Sequence, residues 1–113
     1  MGKKPTPPPD LVPGTLEMLI LKTLTRGPMH GYGIAQKLEQ LSEGVLQVGE
    51  GSLYPALQRL LLNEWAEAEW AVTENNRRAR YYRITAAGRR RLAQERAGYD
   101  RMSVAIARIM EAV

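Results

Sequence analysis

The chain of 113 residues contains no cysteine, no phenylalanine and a single histidine, His30. Without cysteine there are no disulfides, no thiolate metal sites and no thiol catalysis, and a reducing compartment is compatible without being required. Without a second histidine, and with no carboxylate pair at a spacing suited to acid–base work, the catalytic inventory is thin. The segment GEGSL (49–53) has the spacing neither of a serine nucleophile elbow nor of a phosphate-binding loop. No enzyme activity, cofactor or metal is expected. His30, between helical segments and beside Gly31-Tyr32-Gly33, reads as a structural hydrogen-bonding residue. Also lacking is any apolar run near the roughly 18 residues that span a bilayer. The opening MGKKPTPPPD has lysines but no apolar stretch behind them, so no secretory leader is expected and a cytoplasmic location is.

What the chain does have is arginine, unevenly placed. Residues 1–76 carry six Lys/Arg against nine Asp/Glu, a net charge of −3. Residues 77–113 carry ten arginines against three acids, a net charge of +7. Guanidinium groups suit bidentate contact with phosphate, so this half points to a polyanionic partner, although solvated helix faces are also charged. With 44% hydrophobic and 25% charged residues, the chain can fill one modest core.

Prolines 5, 7, 8, 9 and 13 forbid a helix over residues 1–14, which read as a flexible arm. From Thr15, a candidate N-cap, Leu16, Leu19, Ile20, Leu21 and Leu24 recur at helical spacing and leave Glu17, Lys22 and Thr23 polar. Gly27-Pro28 stops this helix. Ile34, Leu38 and Leu41 mark a second helix over 32–41, ended by Gly44, with an extended stretch over 45–48. Ser52 is the expected N-cap of a third helix, with Pro55 in its first turn. Leu53, Leu57, Leu60 and Leu61 make its buried stripe, and Tyr54, Pro55, Gln58, Arg59 and Leu62 its outer face. Ala68, Trp70 and Val72 then alternate with polar residues as in a half-buried strand. Pairing Val72 with Tyr82, and Trp70 with Ile84, would bring the apolar sides of two strands together around a tip at 75–79. Thr85 caps a last helix in which Leu92, Tyr99, Ile106 and Val113 stand seven apart, with Met102 and Ile109 between them. Its apolar seam exceeds what a small core can cover, and a second copy is the simplest partner.

Three helices, a basic two-stranded hairpin and a final helix make a mainly α chain, with a winged helix-turn-helix DNA-binding domain over 15–85 and a dimerisation helix over 86–113. The fragments LEMLILKTL, GPMHGYGI, GEGSLYPALQRL and ENNRRARYYRITAAGRRRL, in this order, strongly resemble the PadR-like transcriptional regulators over roughly residues 15–113. The resemblance implies a homodimeric DNA-binding repressor with C-terminal dimerisation helices; some members respond to small aromatic or drug-like ligands. Here the last helix is short and has no tryptophan, so the resemblance names no effector site.

On that reading the third helix enters the major groove, where Gln reads adenine and Arg reads guanine. The candidate DNA contacts are Ser52, Tyr54, Gln58 and Arg59, Lys37 on the second helix, and Arg77, Arg78, Arg80 and Tyr81 on the hairpin. Arg83 could hold a phosphate or pair with Glu69 across the strands. The candidate dimer interface is Leu16, Leu19 and Ile20 of the first helix with Tyr99, Met102, Ile106, Ile109 and Val113 of the last. The expected partner is a double-stranded, pseudo-palindromic operator with half-sites about 34–36 Å apart. The competing reading is a winged-helix interaction module whose basic hairpin grips an acidic protein.

Overall fold

A computed structural model describes residues 14–113, so the proline-rich arm lies outside the described residues. The element order is α1 (Thr15–Leu24), β1 (Met29–His30), α2 (Gly31–Leu41), α3 (Glu50–Leu62), β2 (Ala66–Val72), β3 (Arg78–Ile84) and α4 (Ala86–Glu111). The leucine stripes are buried as their spacing requires, except at the end of α2, where Leu41 is exposed. Leu16, Ile20, Leu21 and Leu24 of α1 meet Ile34 and Leu38 of α2, and Leu53, Ala56, Leu57 and Leu60 of α3 close the core. Thr23, expected to face solvent, is buried and donates its hydroxyl to the Leu19 carbonyl at 2.9 Å.

Two helix ends turn the chain by the same device. After α3, Trp65 N–H donates to the Leu60 carbonyl and Glu64 N–H to that of Leu61, both at 3.0 Å. This is a Schellman turn, and it places Glu64 in the left-handed region (φ 59°), where glycine is usual. After α2 the same pair of bonds runs from Gly44 to Glu39 and from Glu43 to Gln40. The first left-handed residue there is thus Glu43, with Gly44 one position later. At its other end α3 starts earlier than Ser52 indicates: Gly49 is its cap, without a side-chain bond, and Pro55 falls in the second turn. Because proline has no N–H, the Gly51 carbonyl loses its intrahelical donor.

The sheet has three strands in the order β1-β3-β2, one more than the hairpin read from the sequence. Met29 and His30 pair with Tyr82 and Tyr81 along the inner edge of β3. A strand of two residues has no periodicity to betray it. His30 also caps α2, its Nδ1 accepting the Gly33 N–H at 3.0 Å.

The hairpin register differs from the expected one. Ala66 faces Ile84, Ala68 faces Tyr82, Trp70 faces Arg80 and Val72 faces Arg78. Parity is kept, so Tyr82 and Ile84 still point into the core, but Trp70 moves four residues along β3, from opposite Ile84 to opposite Arg80. The reason is the turn. Thr73 and Arg77 close a three-residue tip through Thr73 N–H to the Arg77 carbonyl at 2.7 Å, with Asn76 left-handed at φ 59°. Asparagine tolerates that conformation, and a three-residue loop needs it. The expected pairing has a five-residue tip, two residues longer than the one formed. Small Ala66 and Ala68 then fit beneath the helices, opposite the bulky Ile84 and Tyr82.

Thr85 joins wing to last helix as its cap. Its hydroxyl accepts the Gly88 N–H at 3.0 Å and donates to the Glu64 carbonyl at 2.7 Å, while its own N–H reaches the Trp65 carbonyl at 3.1 Å. Thr85→Ala should therefore lower the unfolding free energy by about 1–2 kcal/mol, and Thr85→Ser should recover most of it. Urea denaturation of both variants measures this.

Candidate nucleic-acid interface

At about 100° per residue, the core residues of α3 leave Gly51, Pro55, Gln58 and Leu62 on the line facing away from the body. All four are exposed. Ser52 and Arg59 flank that line on the α1 side, and Glu50 and Tyr54 on the α2 side. Tyr54 leans over the start of α2, where a Cβ added to Gly31 would lie 3.1 Å from its hydroxyl. Between α2 and α3 is a cleft of about 470 Å³ lined by Tyr32, Gln36, Glu39, Gln47, Glu50 and Tyr54. Its charged residues are acidic, so the cations of this surface lie elsewhere.

They lie on the wing. Arg78 and Arg80 project from the face that also carries Trp70 and Val72, while Arg77 sits at the tip. All three arginines are exposed and, among the described residues, none is in an ion pair. The opposite face carries Glu67, Glu69, Tyr81 and Arg83. Arg83 bonds Glu67, its directly facing residue, at 2.6 Å rather than Glu69. That hydrogen bond and charge hold the Arg83 guanidinium above its ordinary pKa. Burial raises the Tyr82 phenol, and the neighbouring Arg80 partly offsets the rise. Tyr81 is half-buried, edge-on to His30 with ring centroids 5.4 Å apart. The wing is thus two-sided, with its strand carboxylates Glu67 and Glu69 on one face and Glu74 in the tip loop.

The other sequence candidates separate as follows. Ser52, Tyr54 and Gln58 are exposed on α3. Arg59 is exposed as well but bonds Glu17 of α1 at 2.5 Å, which ties α3 to the body. These partners stand 42 positions apart, so no local pattern announces the pair. Lys37 is half-buried and donates to Gln40 Oε1 at 3.4 Å. Arg91 lies over the Trp65 ring, 4.6 Å from its centroid, and pairs with Glu95. One of the three arginines opening α4 is therefore used in packing that helix.

The proposed dimer residues need correction. Leu16 and Ile20 are buried within the chain's own core, at 8% and 0% exposure, and cannot meet another copy. Leu19 is half-buried beside a groove of about 550 Å³ that runs to Leu92 and Tyr99 of α4. Beyond that groove Tyr99, Met102, Ile106 and Ile109 form an exposed apolar stripe, and Val113 lies past the end of the helix. No helix among the described residues is long and apolar enough to cross a membrane.

The same arrangement occurs in solved structures. A transcriptional regulator from Clostridium thermocellum superposes with a TM-score of 0.77 at 26% identity, covering 84% of this chain and 92% of that one. A PadR family transcriptional regulator from Eggerthella lenta gives 0.76 at 28% identity, covering 88% and 85%. In sequence, an uncharacterized protein from Lysinibacillus sphaericus is 31% identical over 75% of this chain and 78% of its own. An uncharacterized 37.1 kDa protein in a transposon of Streptomyces fradiae is 40% identical over 77% of this chain, a match spanning only 24% of that protein. Residues 20–94, well over half of the chain, match the model of the transcriptional regulator PadR-like family. With that match and its winged helix-turn-helix, the chain belongs to the PadR-like family of transcriptional regulators.

Proposed function

We propose that this protein is a homodimeric repressor that binds double-stranded DNA sequence-specifically, with α3 in the major groove and the wing on the backbone or minor groove. The observation that carries the reading is the set Arg77, Arg78 and Arg80, exposed and without ion-pair partners among the described residues, on a hairpin that follows directly from an exposed α3. Cations left in solvent without carboxylates are placed to displace counterions from a phosphate backbone. A narrow minor groove attracts arginine further. Gln58, on the outward line of α3, is the side chain best placed to read a base edge, with Tyr54 and Ser52 beside it. Arg59 contributes by holding α3 against α1. The stripe of Tyr99, Met102, Ile106 and Ile109, with Leu19 and Leu92 at its inner end, supplies the face for a second copy. Two reading helices related by a two-fold axis suit half-sites about one helical turn apart. Repression needs no further surface, since occupying a promoter is enough to block it.

The test is fluorescence anisotropy with DNA from upstream of the protein's own coding sequence, against a scrambled duplex, at two salt concentrations. A preference of about a hundredfold or more at the higher salt is the expected result. Equal binding of both duplexes, lost together as salt rises, would reduce the arginines to a non-specific field.

A further inference from the structure

The inner face of the wing carries a feature that phosphate contact leaves unused. Trp70 is 61% exposed and Val72 63% exposed, on the same sheet face that lower down buries Ala66, Ala68, Tyr82 and Ile84. The face runs continuously from core to solvent. Trp70 stands directly opposite Arg80. The Arg78 guanidinium lies over the indole, 5.3 Å from the ring centroid. Arg80 in turn lies 5.9 Å from the centroid of Tyr82. No carboxylate shares this face of either strand, because Glu67 and Glu69 both point the other way.

We propose that Trp70 is a further DNA-contacting residue, packing its indole against a deoxyribose of one duplex strand while Arg78 and Arg80 take the phosphates on either side. The proposal rests on the DNA-binding reading above and assigns the wing's apolar contact within it. A nucleic-acid strand alternates anionic phosphates with largely apolar sugars, and this face alternates in kind. Two residues apart on one strand, Arg78 and Arg80 are spaced by about 6.6 Å, with the indole opposite and beside them. A guanidinium stacked on a ring keeps its edge N–H groups free for bidentate contact with an oxyanion. Trp70 thus offers contact area and also holds Arg78 ready before the DNA arrives. The missing carboxylates select an anionic occupant, and the exposed indole selects one with apolar surface between its charges.

The test uses Trp65→Phe, which leaves Trp70 as the sole tryptophan, with the fold of the variant checked by urea denaturation. Acrylamide quenching of Trp70 is followed while a red-labelled duplex is titrated in, and the anisotropy of the label reports binding in the same tube. The quenching constant should fall at least threefold as the duplex saturates. A constant that stays unchanged while the anisotropy rises would overturn the proposal and leave the DNA-binding reading intact. Anisotropy that never rises would overturn both. Protection that grows with protein concentration alone, without DNA, would assign Trp70 to contact between copies instead. In the chain with both tryptophans, Trp70→Ala should weaken binding to every duplex about tenfold with little change in salt slope, because the lost group is neutral. Trp70→Phe should retain most of the affinity. Full affinity in Trp70→Ala would also overturn the assignment.

Discussion

Replacing Gly88 by alanine should be strongly destabilising. A Cβ at that position would lie 2.0 Å from the Trp65 carbonyl oxygen and 2.9 Å from Ile84 Cγ1. The first of these atoms is backbone, and it accepts the Thr85 N–H at 3.1 Å, so it cannot yield without opening the corner between wing and helix. Overpacking of this kind commonly takes 1–3 kcal/mol, and a clash with fixed backbone belongs at or above the upper end, about 3 kcal/mol or more. Against a total of about 5–15 kcal/mol, that is roughly a fifth to more than half of the stability. For a domain of this size the thermal midpoint should drop by roughly 10–20 °C. Gly98→Ala is the control, on the same helix with nothing within 4 Å of its missing Cβ. It should stabilise by about 0.5–1 kcal/mol, the ordinary gain of alanine over glycine inside a helix. Urea titrations of both variants, followed by circular dichroism, should therefore move in opposite directions. A Gly88→Ala midpoint equal to that of the parent would contradict the packing described here.

The double variant Arg78→Ala/Arg80→Ala should lose DNA affinity about 10- to 100-fold for every sequence, and the slope of log affinity against log salt should shrink by about two. Both side chains are exposed and outside any ion pair among the described residues, so the fold should lose only their two cation–π contacts, about 1–2 kcal/mol together. Arg83→Ala removes the same charge from the same strand, but from the face where Glu67 already neutralises it. It should leave the salt slope within about half a unit of the parent. A slope change of about one for Arg83→Ala, half that of the double variant, would mean that total charge, not its placement, governs binding. Salt titration of the three proteins on one duplex decides between these outcomes.

The helices were legible because each buries a wide apolar stripe. Leucines spaced for helical burial over 16–24, and again over 53–60, leave few alternatives. Thr85 was equally readable as a cap, standing between an alternating strand and a helical repeat. The wing's register was harder. It turns on Asn76 adopting a left-handed backbone, and the run Glu74-Asn75-Asn76 offers two asparagines for that place without saying which takes it. Shifting the register carries Trp70 from the expected core to the surface, so the wing's inner face could not be read without the turn. The start of α3 was obscured because Gly49 caps it with backbone alone and leaves no side-chain signature. Leu16 and Ile20 show a limit of another kind. Helical spacing establishes that a residue is buried, but not whether its own chain or a second copy buries it.

The corner at Thr85 also has a mechanical meaning. β3 ends at Ile84 and α4 begins at Ala86, so one residue joins them. Its amide and hydroxyl are both tied to the turn that closes α3, and Gly88 seats the first turn of α4 on the Trp65 carbonyl. Such a joint has no free swivel. A rotation of α4 about this point would strain the bonds that fix the base of the wing. In a pair of copies joined along α4, the crossing angle of the two helices would set the attitude of both wings together, and a force applied at the far end of either helix would be felt at Arg78.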